Sequence, residues 1–460
     1  MADDRDVVVI GGGFAGLSAG VALAERGFRV AVLERKPALG GRAYSFIDPE
    51  SGDFVDNGQH VLMGCYAETL DFLKKIGTYD KLVFLENLEI EMVAPGGARA
   101  TLRTGRLPGP FHMTAAVLRY GHLSLRERAS LLRAGLRLLA MRRSDHPALE
   151  QTDVATLMDR LGQSERARQS FWYPLTIATL NEEPKLASSA PLAEVLKRAF
   201  FARRRDSAFV YSKVGLSDLY CAAAAEFIQR RDGVVTSRTG VEALELGVGG
   251  VIERVRLRDG GSLNAANFIA AVPWGPLLQM LPPGIADDPF FARITGLRYS
   301  PIICVHVWLD REVIDSAFVG FIGTTTQWLF NKRKIFAQSG DHHPGYLSFV
   351  ISGARALVDR SNEELLDQVM DDLRAMVPAA REAKVIKALV LKEKQATMAP
   401  APDSHAIRPG TVTPIPNLFL AGDWIQTGLP ATIESAVISG RAAAAAVIAR
   451  VESARSEARG

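Results

Sequence analysis

Val7–Glu34, VVVIGGGFAGLSAGVALAERGFRVAVLE, decides the fold. Val7-Val8-Val9-Ile10 is an unbroken β-branched run, the composition of a strand buried on both faces of a parallel sheet. Gly11, Gly13 and Gly16 then fall on G-x-G-x-x-G. Leu17–Arg26 is rich in alanine and leucine and lacks proline, so it reads as a helix, with Gly27 as its stop. Phe28–Leu33 resumes a strand ending at Glu34, twenty-three positions after Gly11. Gly11 makes the tight turn, Gly13 lets the backbone approach a pyrophosphate, and Gly16 packs helix against strand. The helix N-terminus supplies free N–H groups and partial positive charge for phosphates. Phe14 and Ala15, inside the motif, join the glycines as candidate cofactor-binding positions. Glu34 stands where an acid takes the ribose hydroxyls, which argues for an adenosine ribose without a 2′-phosphate.

Arg35-Lys36-Pro37-Ala38-Leu39-Gly40-Gly41-Arg42 follows. The glycine pair permits close backbone approach and Arg42 can neutralise a pyrophosphate, so Gly41 and Arg42 are candidate phosphate-side residues and Arg35 a further candidate cofactor-binding residue. The other reading is an exposed basic turn.

At 460 residues the chain exceeds one ordinary core, so two or three domains are expected. A net charge of +3 gives no argument for a nucleic-acid partner. Three scattered cysteines, with no C-x-x-C, suggest neither a disulfide framework nor a zinc site, and fit a reducing cytosol. The acidic start runs straight into a strand, so no signal peptide is expected, and no apolar run is long enough to span a bilayer. No HExxH, spaced carboxylate cluster or G-x-S-x-G occurs, so a metal site or nucleophilic hydrolysis has no support. His342-His343 reads as a surface turn rather than a metal pair.

The two glycine-rich motifs together resemble the flavin-binding amine-oxidase and phytoene-desaturase superfamily. That resemblance implies FAD and an α/β fold in which a Rossmann-like FAD-binding domain is interleaved with an α+β substrate domain. It also implies that the C-terminal end returns to close the flavin site. Pro416–Asp423 is an apolar strand ending in Gly422-Asp423, followed by Ala431-Thr432-Ile433 at the head of a helix. By the resemblance, Gly422 and Asp423 meet the ribityl or pyrophosphate region, and Ala431, Thr432 and Ile433 aim a helix N-terminus at the flavin. Val241 carries over as the adenine contact, and Ala271-Val272-Pro273 as a strand end near the flavin. Asp56-Asn57-Gly58-Gln59-His60-Val61, then Met63-Gly64-Cys65-Tyr66, resembles squalene- and carotene-associated desaturases of that superfamily. Gly58 would let the backbone pass the ring, with Gln59 and His60 at its reactive face. His60 is either the catalytic acid or a hydrogen-bonded structural histidine. Residues 1–95, 206–275 and 405–455 are expected to form the FAD-binding domain. Residues 96–205 form a helical substrate- and membrane-facing region, 276–404 the substrate sheet, and 456–460 lie in a polar tail that begins after Val451.

Ser124–Arg143 reads as a helix with Ser124 and Glu127 as a capping box. Leu125, Ala129, Leu132, Leu136 and Leu139 form an apolar face beside Arg126, Arg133 and Arg137, with Arg142 and Arg143 at the end. Such a helix is either membrane-binding or core-packed with a solvated arginine face. Phe171–Leu175 and Ile177–Asn181 belong mainly to the core, though they could line an apolar cavity. Ile302–Leu309 alternates as a half-buried strand should, and Tyr346–Ile351 is another.

The resemblance implies an FAD-dependent oxidoreductase acting on a long-chain isoprenoid, hydroxysqualene going to squalene, with an external reductant. The expected location is cytoplasmic, bound peripherally to the inner face of the membrane. A desaturase running in the oxidising direction would share the fold. A non-redox prenyl-lipid carrier, like the Rab escort and dissociation-inhibitor proteins, would too, but intact FAD motifs at both ends argue against it.

Overall fold

Val7, Val8 and Val9 are fully buried at the centre of a parallel sheet, as their β-branched run requires. Strand Arg5–Ile10 pairs in parallel with Val30–Leu33 on one side and Ser262–Ala270 on the other. Val234–Thr236 extends the first side. The long strand Ser262–Ala270 is shared: its start pairs with the hairpin Val241–Leu246 and Ile252–Leu257, its end with Leu418–Leu420. One sheet therefore gathers chain from both ends and from the middle. The computed structural model describes residues 5–85, 88–141, 146–336 and 343–457.

Helix Phe14–Glu25 follows the first strand, beginning three residues earlier than the sequence suggests, and Gly27 ends it at φ +79°. It packs against the C-terminal helix Ile433–Glu457. The contact is backbone-close: a Cβ on Gly440 would lie 2.1 Å from the Ala15 carbonyl oxygen. That helix continues to Glu457, past Val451 where a polar tail is expected, because Glu452–Glu457 carry good helix formers and no proline.

The second sheet runs in the order Val385–Met398, Tyr299–Leu309, Gly345–Ser352, Trp328–Asn331, Phe318–Phe321, Glu89–Ala94, Ala98–Arg103. Glu89–Ala94 pairs with Phe318–Phe321 and with Ala98–Arg103, so a boundary at 95/96 cuts through this sheet. Ile302–Leu309 is nearly all buried rather than half-buried. One of its faces meets helix Asn362–Met376 and the other meets the hairpin Ser45–Asp56, which an alternating pattern cannot reveal when both parities are apolar or paired.

A helical layer spanning residues 112–200 packs against the second sheet through Ile90, Met92 and Ala100. Helix Leu125–Ala140 has the expected capping box: Glu127 N–H donates to Ser124 Oγ (3.4 Å) and Ser124 N–H to Glu127 Oε2 (2.8 Å). Its core-facing stripe is Leu131, Ala134 and Leu138, not the stripe read from sequence. Leu125, Leu136 and Leu139 remain exposed, at 77%, 64% and 39%. The helix carries two apolar faces, and only one is used for packing. Arg142 and Arg143 lie outside the described residues, as does His342 of the His342-His343 turn.

Candidate active site

The parallel strands all deliver their C-terminal ends to one place. Gly11 follows Ile10, Glu34 follows Leu33, Ala271 follows Ala270, and Ala421-Gly422 follows Leu420. Gly11 sits at φ +111°, and a Cβ there would lie 2.5 Å from the Ala271 carbonyl oxygen. A Cβ on Gly16 would lie 1.9 Å from the Gly11 carbonyl oxygen. These two glycines let turn, helix and neighbouring strand end touch. Gly13 differs: a Cβ there would meet nothing nearer than Gly41 Cα at 3.7 Å, an ordinary contact, and Gly40 N–H donates to the Gly12 carbonyl at 2.9 Å, so the two glycine loops lie directly against each other. Gly13 is also the N-cap of helix Phe14–Glu25, with no side-chain cap and no acid in the first turn. The N–H groups of that turn stay available to an anion.

Glu34 is buried and fixed, its Oε2 accepting from Gly12 N–H at 2.9 Å and its Oε1 from Lys36 N–H at 2.7 Å. Arg42 ties the beginning of the chain to its end: Nη2 meets Asp423 Oδ1 at 2.5 Å, and Nη1 donates to the Ala396 carbonyl at 3.0 Å. Burial works against the Arg42 charge, and Asp423 more than offsets it, so its pKa is raised. All the cofactor-binding candidates except Gly16 line one cavity of about 1010 Å³: Gly11, Gly13, Phe14, Ala15, Glu34, Arg35, Gly41, Arg42, Gly58, Gln59, His60, Val241, Gly422, Asp423, Ala431, Thr432 and Ile433. Gly16 acts behind the wall. The Phe14 side chain turns into the core, stacked on Tyr220 with ring centroids 3.6 Å apart.

The same cavity continues into an apolar chamber. Its walls include Val117, Leu132, Phe171, Trp172 and Leu175 from the helical layer, Ile90, Met92, Ile302, Trp328 and Phe330 from the second sheet, and Met63 from the short strand Leu62–Met63. Trp172 is both core and wall, its Nε1 donating to Gln163 Oε1 at 2.9 Å. The chamber reaches the surface where Phe111, Leu136 and Leu139 both line it and stand exposed.

Gln59 and His60 line this cavity together with the glycine loops and the apolar walls. His60 Nδ1 lies 2.7 Å from the Gly58 carbonyl, so in the neutral ring Nδ1 carries the hydrogen and Nε2 the lone pair. Burial lowers the His60 pKa; Asp56 and the Gly58 bond oppose this, while Lys332 adds to it. Burial pushes the Cys65 thiol up to about 12, which keeps it protonated and unreactive. Glu434, its pKa raised by burial, joins two helix starts by accepting from Glu68 N–H, Thr69 N–H and Thr69 Oγ1.

Two functional groups carry no signal in the sequence. Arg408 is buried and donates to the carbonyls of Asp423, Trp424, Ile425 and Leu429, holding the loop between Asp423 and Thr432 in shape. It stands alone in Ala406-Ile407-Arg408-Pro409. Lys332 lies in Asn331-Lys332-Arg333-Lys334, which reads as a surface basic run, yet it is 0% exposed.

A glycine cradle at a helix N-terminus, a fixed ribose-side acid and an attached apolar chamber define a dinucleotide-dependent oxidoreductase fold. The Flavin containing amine oxidoreductase family matches residues 14–448, and the chain belongs to that family. The chain is 30% identical over 448 residues to a hydroxysqualene dehydroxylase of Rhodopseudomonas palustris, covering 97% of this chain and 99% of that one. It is 25% identical over 458 residues to a 15-cis-phytoene desaturase of Synechococcus elongatus, covering 96% of both. An oxidoreductase structure from Methanosarcina mazei shares the fold, with a TM-score of 0.74 at 16% identity over 95% of this chain and 99% of that one. The protein is an FAD-dependent oxidoreductase. The facing Gly13 and Gly41 backbones, the uncapped helix and the Arg42–Asp423 pair suit a pyrophosphate between two nucleoside-like ends.

Proposed function

We propose that this enzyme reductively removes the hydroxyl of hydroxysqualene to give squalene. The observation that carries the reading is the continuous cavity, polar and glycine-lined at one end and apolar at the other, with Gln59 and His60 among its lining residues. The 30%-identical dehydroxylase supports the particular substrate. The balance is R–OH plus two electrons and two protons giving R–H and water, with the electrons from an external reductant. FAD supplies the two-electron chemistry when bound. Around it, Gly11, Gly13, Phe14, Ala15, Gly41 and Arg42 would hold the pyrophosphate, Glu34 and Arg35 the adenosine side, and Val241 the adenine. Gly16 would support the turn beneath them. Gly58, Gln59, Gly422, Asp423, Ala431, Thr432 and Ile433 would hold the ribityl and ring end. The apolar walls exclude water from a hydroxyl-bearing allylic carbon, so departure of the hydroxyl leads to reduction rather than re-addition of water.

His60 is the candidate acid. Its lowered pKa leaves a minority of rings protonated near neutrality, so a step that uses its proton speeds up as pH falls toward that pKa and slows above it. His60→Ala should slow turnover, keep flavin bound and lose that limb; an unchanged profile would clear His60 of the role.

Helix Leu125–Ala140 and the preceding segment would face an anionic bilayer. Exposed Leu107, Phe111, Leu118, Leu125, Leu136 and Leu139 lie in the same stretch of chain as exposed Arg103, Arg106, Arg119, Arg126, Arg133 and Arg137, and Phe111, Leu136 and Leu139 also line the chamber. Among the described residues no helix is long and apolar enough to cross a membrane. Residues 112–200 make up this helical side, while Ala98–Arg103 belongs to the second sheet rather than to it.

The deciding experiment is anaerobic incubation of the pure, chemically reduced protein with hydroxysqualene. Squalene as product is expected. Desaturated products instead would favour the reaction named by the phytoene desaturase relative, and no flavin spectrum at all would favour a carrier.

A further inference from the structure

Behind the cavity wall lies a buried cation that the reaction as written above does not use. Lys332 follows strand Trp328–Asn331 and is fully buried, although it does not line the cavity. Its Nζ lies 3.0 Å from Asp56 Oδ2, 2.6 Å from Gln59 Oε1 and 4.0 Å from the centre of the Phe336 ring. Gln59 and His60 do line the cavity. A lysine ammonium only donates, so its bond to Gln59 decides which end of that amide is which: Oε1 faces backward and the NH₂ group is left for the cavity side. The NH₂ has only a 3.5 Å contact to the His60 carbonyl, too long to occupy it.

We propose that Lys332 is a positioning residue of the active site: paired to Asp56, it locks the Gln59 amide with its donors toward the cavity and keeps a fixed positive charge behind His60. The inference rests on the reading of the cavity as the flavin and isoprenoid site.

The surrounding groups are arranged around this pair. Asp56, the counter-ion, is itself 2% exposed and held by Leu216 N–H at 3.3 Å. The next buried histidine, His306, has its pKa pushed down to about 3, first by burial and then by Lys332, and sits 3.0 Å from the Asp56 carbonyl. Cys304, beside it, is a neutral thiol raised to about 11 by burial. The charged groups acting on His60 are therefore Asp56 and Lys332, with opposite signs, while Arg333 is occupied by Asp53 at 2.5 and 2.9 Å.

The test is the titration of His60 by NMR in flavin-loaded protein carrying ring-labelled histidine, with His60→Ala identifying the signal. Lys332→Met should raise the His60 pKa, Asp56→Asn should lower it, and Lys332→Arg should leave it near the wild-type value. A packing defect would move the variants together, so shifts of one sign in Lys332→Met and Asp56→Asn, or none, would overturn the proposal. Because Lys332→Met leaves a buried carboxylate unpaired, the double variant Asp56→Asn/Lys332→Met covers the case in which the single variant fails to fold. It should bring the His60 pKa above its Asp56→Asn value and leave it below that of Lys332→Met, because the two opposite charges are removed together. It should also lose about tenfold in hydroxysqualene turnover, the worth of one net hydrogen bond, because the amide can turn. Wild-type turnover in the double variant would refute the positioning role. The titration needs no substrate, so it stands or falls separately from the isoprenoid assignment.

Discussion

The two halves of the cavity are built by different means. On the dinucleotide side the wall is mostly backbone: Gly11, Gly13, Gly41 and Gly422 bring main chain to the surface, and the few side chains that matter, Glu34, Arg42 and Asp423, are pinned by short bonds. On the apolar side the wall is mostly side chain, drawn from many strands and helices that share no motif. A backbone wall has few alternatives where an added carbon meets a fixed neighbour, as at Gly11 against the Ala271 carbonyl and Gly422 against the Trp424 ring. A side-chain wall tolerates exchange of one apolar group for another if volume is kept. The contrast explains how one family can retain a cofactor while its members accept different substrates.

The sharpest way to break the comparison is to add carbon on the backbone side. In Gly16→Val the new Cβ would lie 1.9 Å from the Gly11 carbonyl oxygen, and neither turn nor helix can yield without opening the sheet end. We expect destabilisation of about 3 kcal/mol or more and loss of flavin from the purified protein. A volume-conserving Leu132→Met change in the chamber should cost less than about 1.5 kcal/mol and leave flavin content intact. Thermal melts and the flavin absorbance ratio check both. Equal effects would mean that the two walls are not different in kind.

Next in size is Glu34→Ala. The carboxylate holds Gly12 and Lys36 N–H groups and would also take ribose hydroxyls, so its loss leaves buried donors unpaired. FAD affinity should fall by about 2 kcal/mol, roughly thirtyfold, read from the dissociation constant of reconstituted protein. Undiminished affinity would reject Glu34 as a ribose ligand.

This contrast also explains what was legible in the chain. The glycine motifs, Glu34, Gly422-Asp423 and the helix after Ala431 are local patterns dictated by backbone chemistry, so reading them needs no knowledge of tertiary neighbours. Their convergence follows from the parallel register of Arg5–Ile10, Ser262–Ala270 and Leu418–Leu420. The chamber is another matter. Whether Phe171 or Trp328 faces a cavity depends on which surface of each element the others cover, and periodicity is silent on that. Helix Leu125–Ala140 shows the limit most clearly: two apolar stripes were present, and nothing local says that Leu131, Ala134 and Leu138 are the ones buried. Lys332 is the extreme case, since a lysine in a basic tetrapeptide gives no hint of a carboxylate 276 residues away.

The smallest expected effect is at the exposed start of helix Leu125–Ala140, and it separates folding from location. Leu125 is 77% exposed, so Leu125→Ser should change stability by less than about 0.5 kcal/mol and leave flavin untouched. If this face meets a bilayer, the same change removes about 1 kcal/mol or more of apolar burial in lipid, a severalfold drop in partitioning. Flotation with vesicles containing anionic lipid reads it directly. Wild-type protein should float at low salt and less so as salt rises, because Arg126, Arg133 and Arg137 act through screened charge. Replacing those three arginines with glutamine should weaken the salt-dependent part and leave the Leu125 part in place. Absence of wild-type flotation at low salt would remove the bilayer from the account, and Leu125 would then be an ordinary exposed leucine.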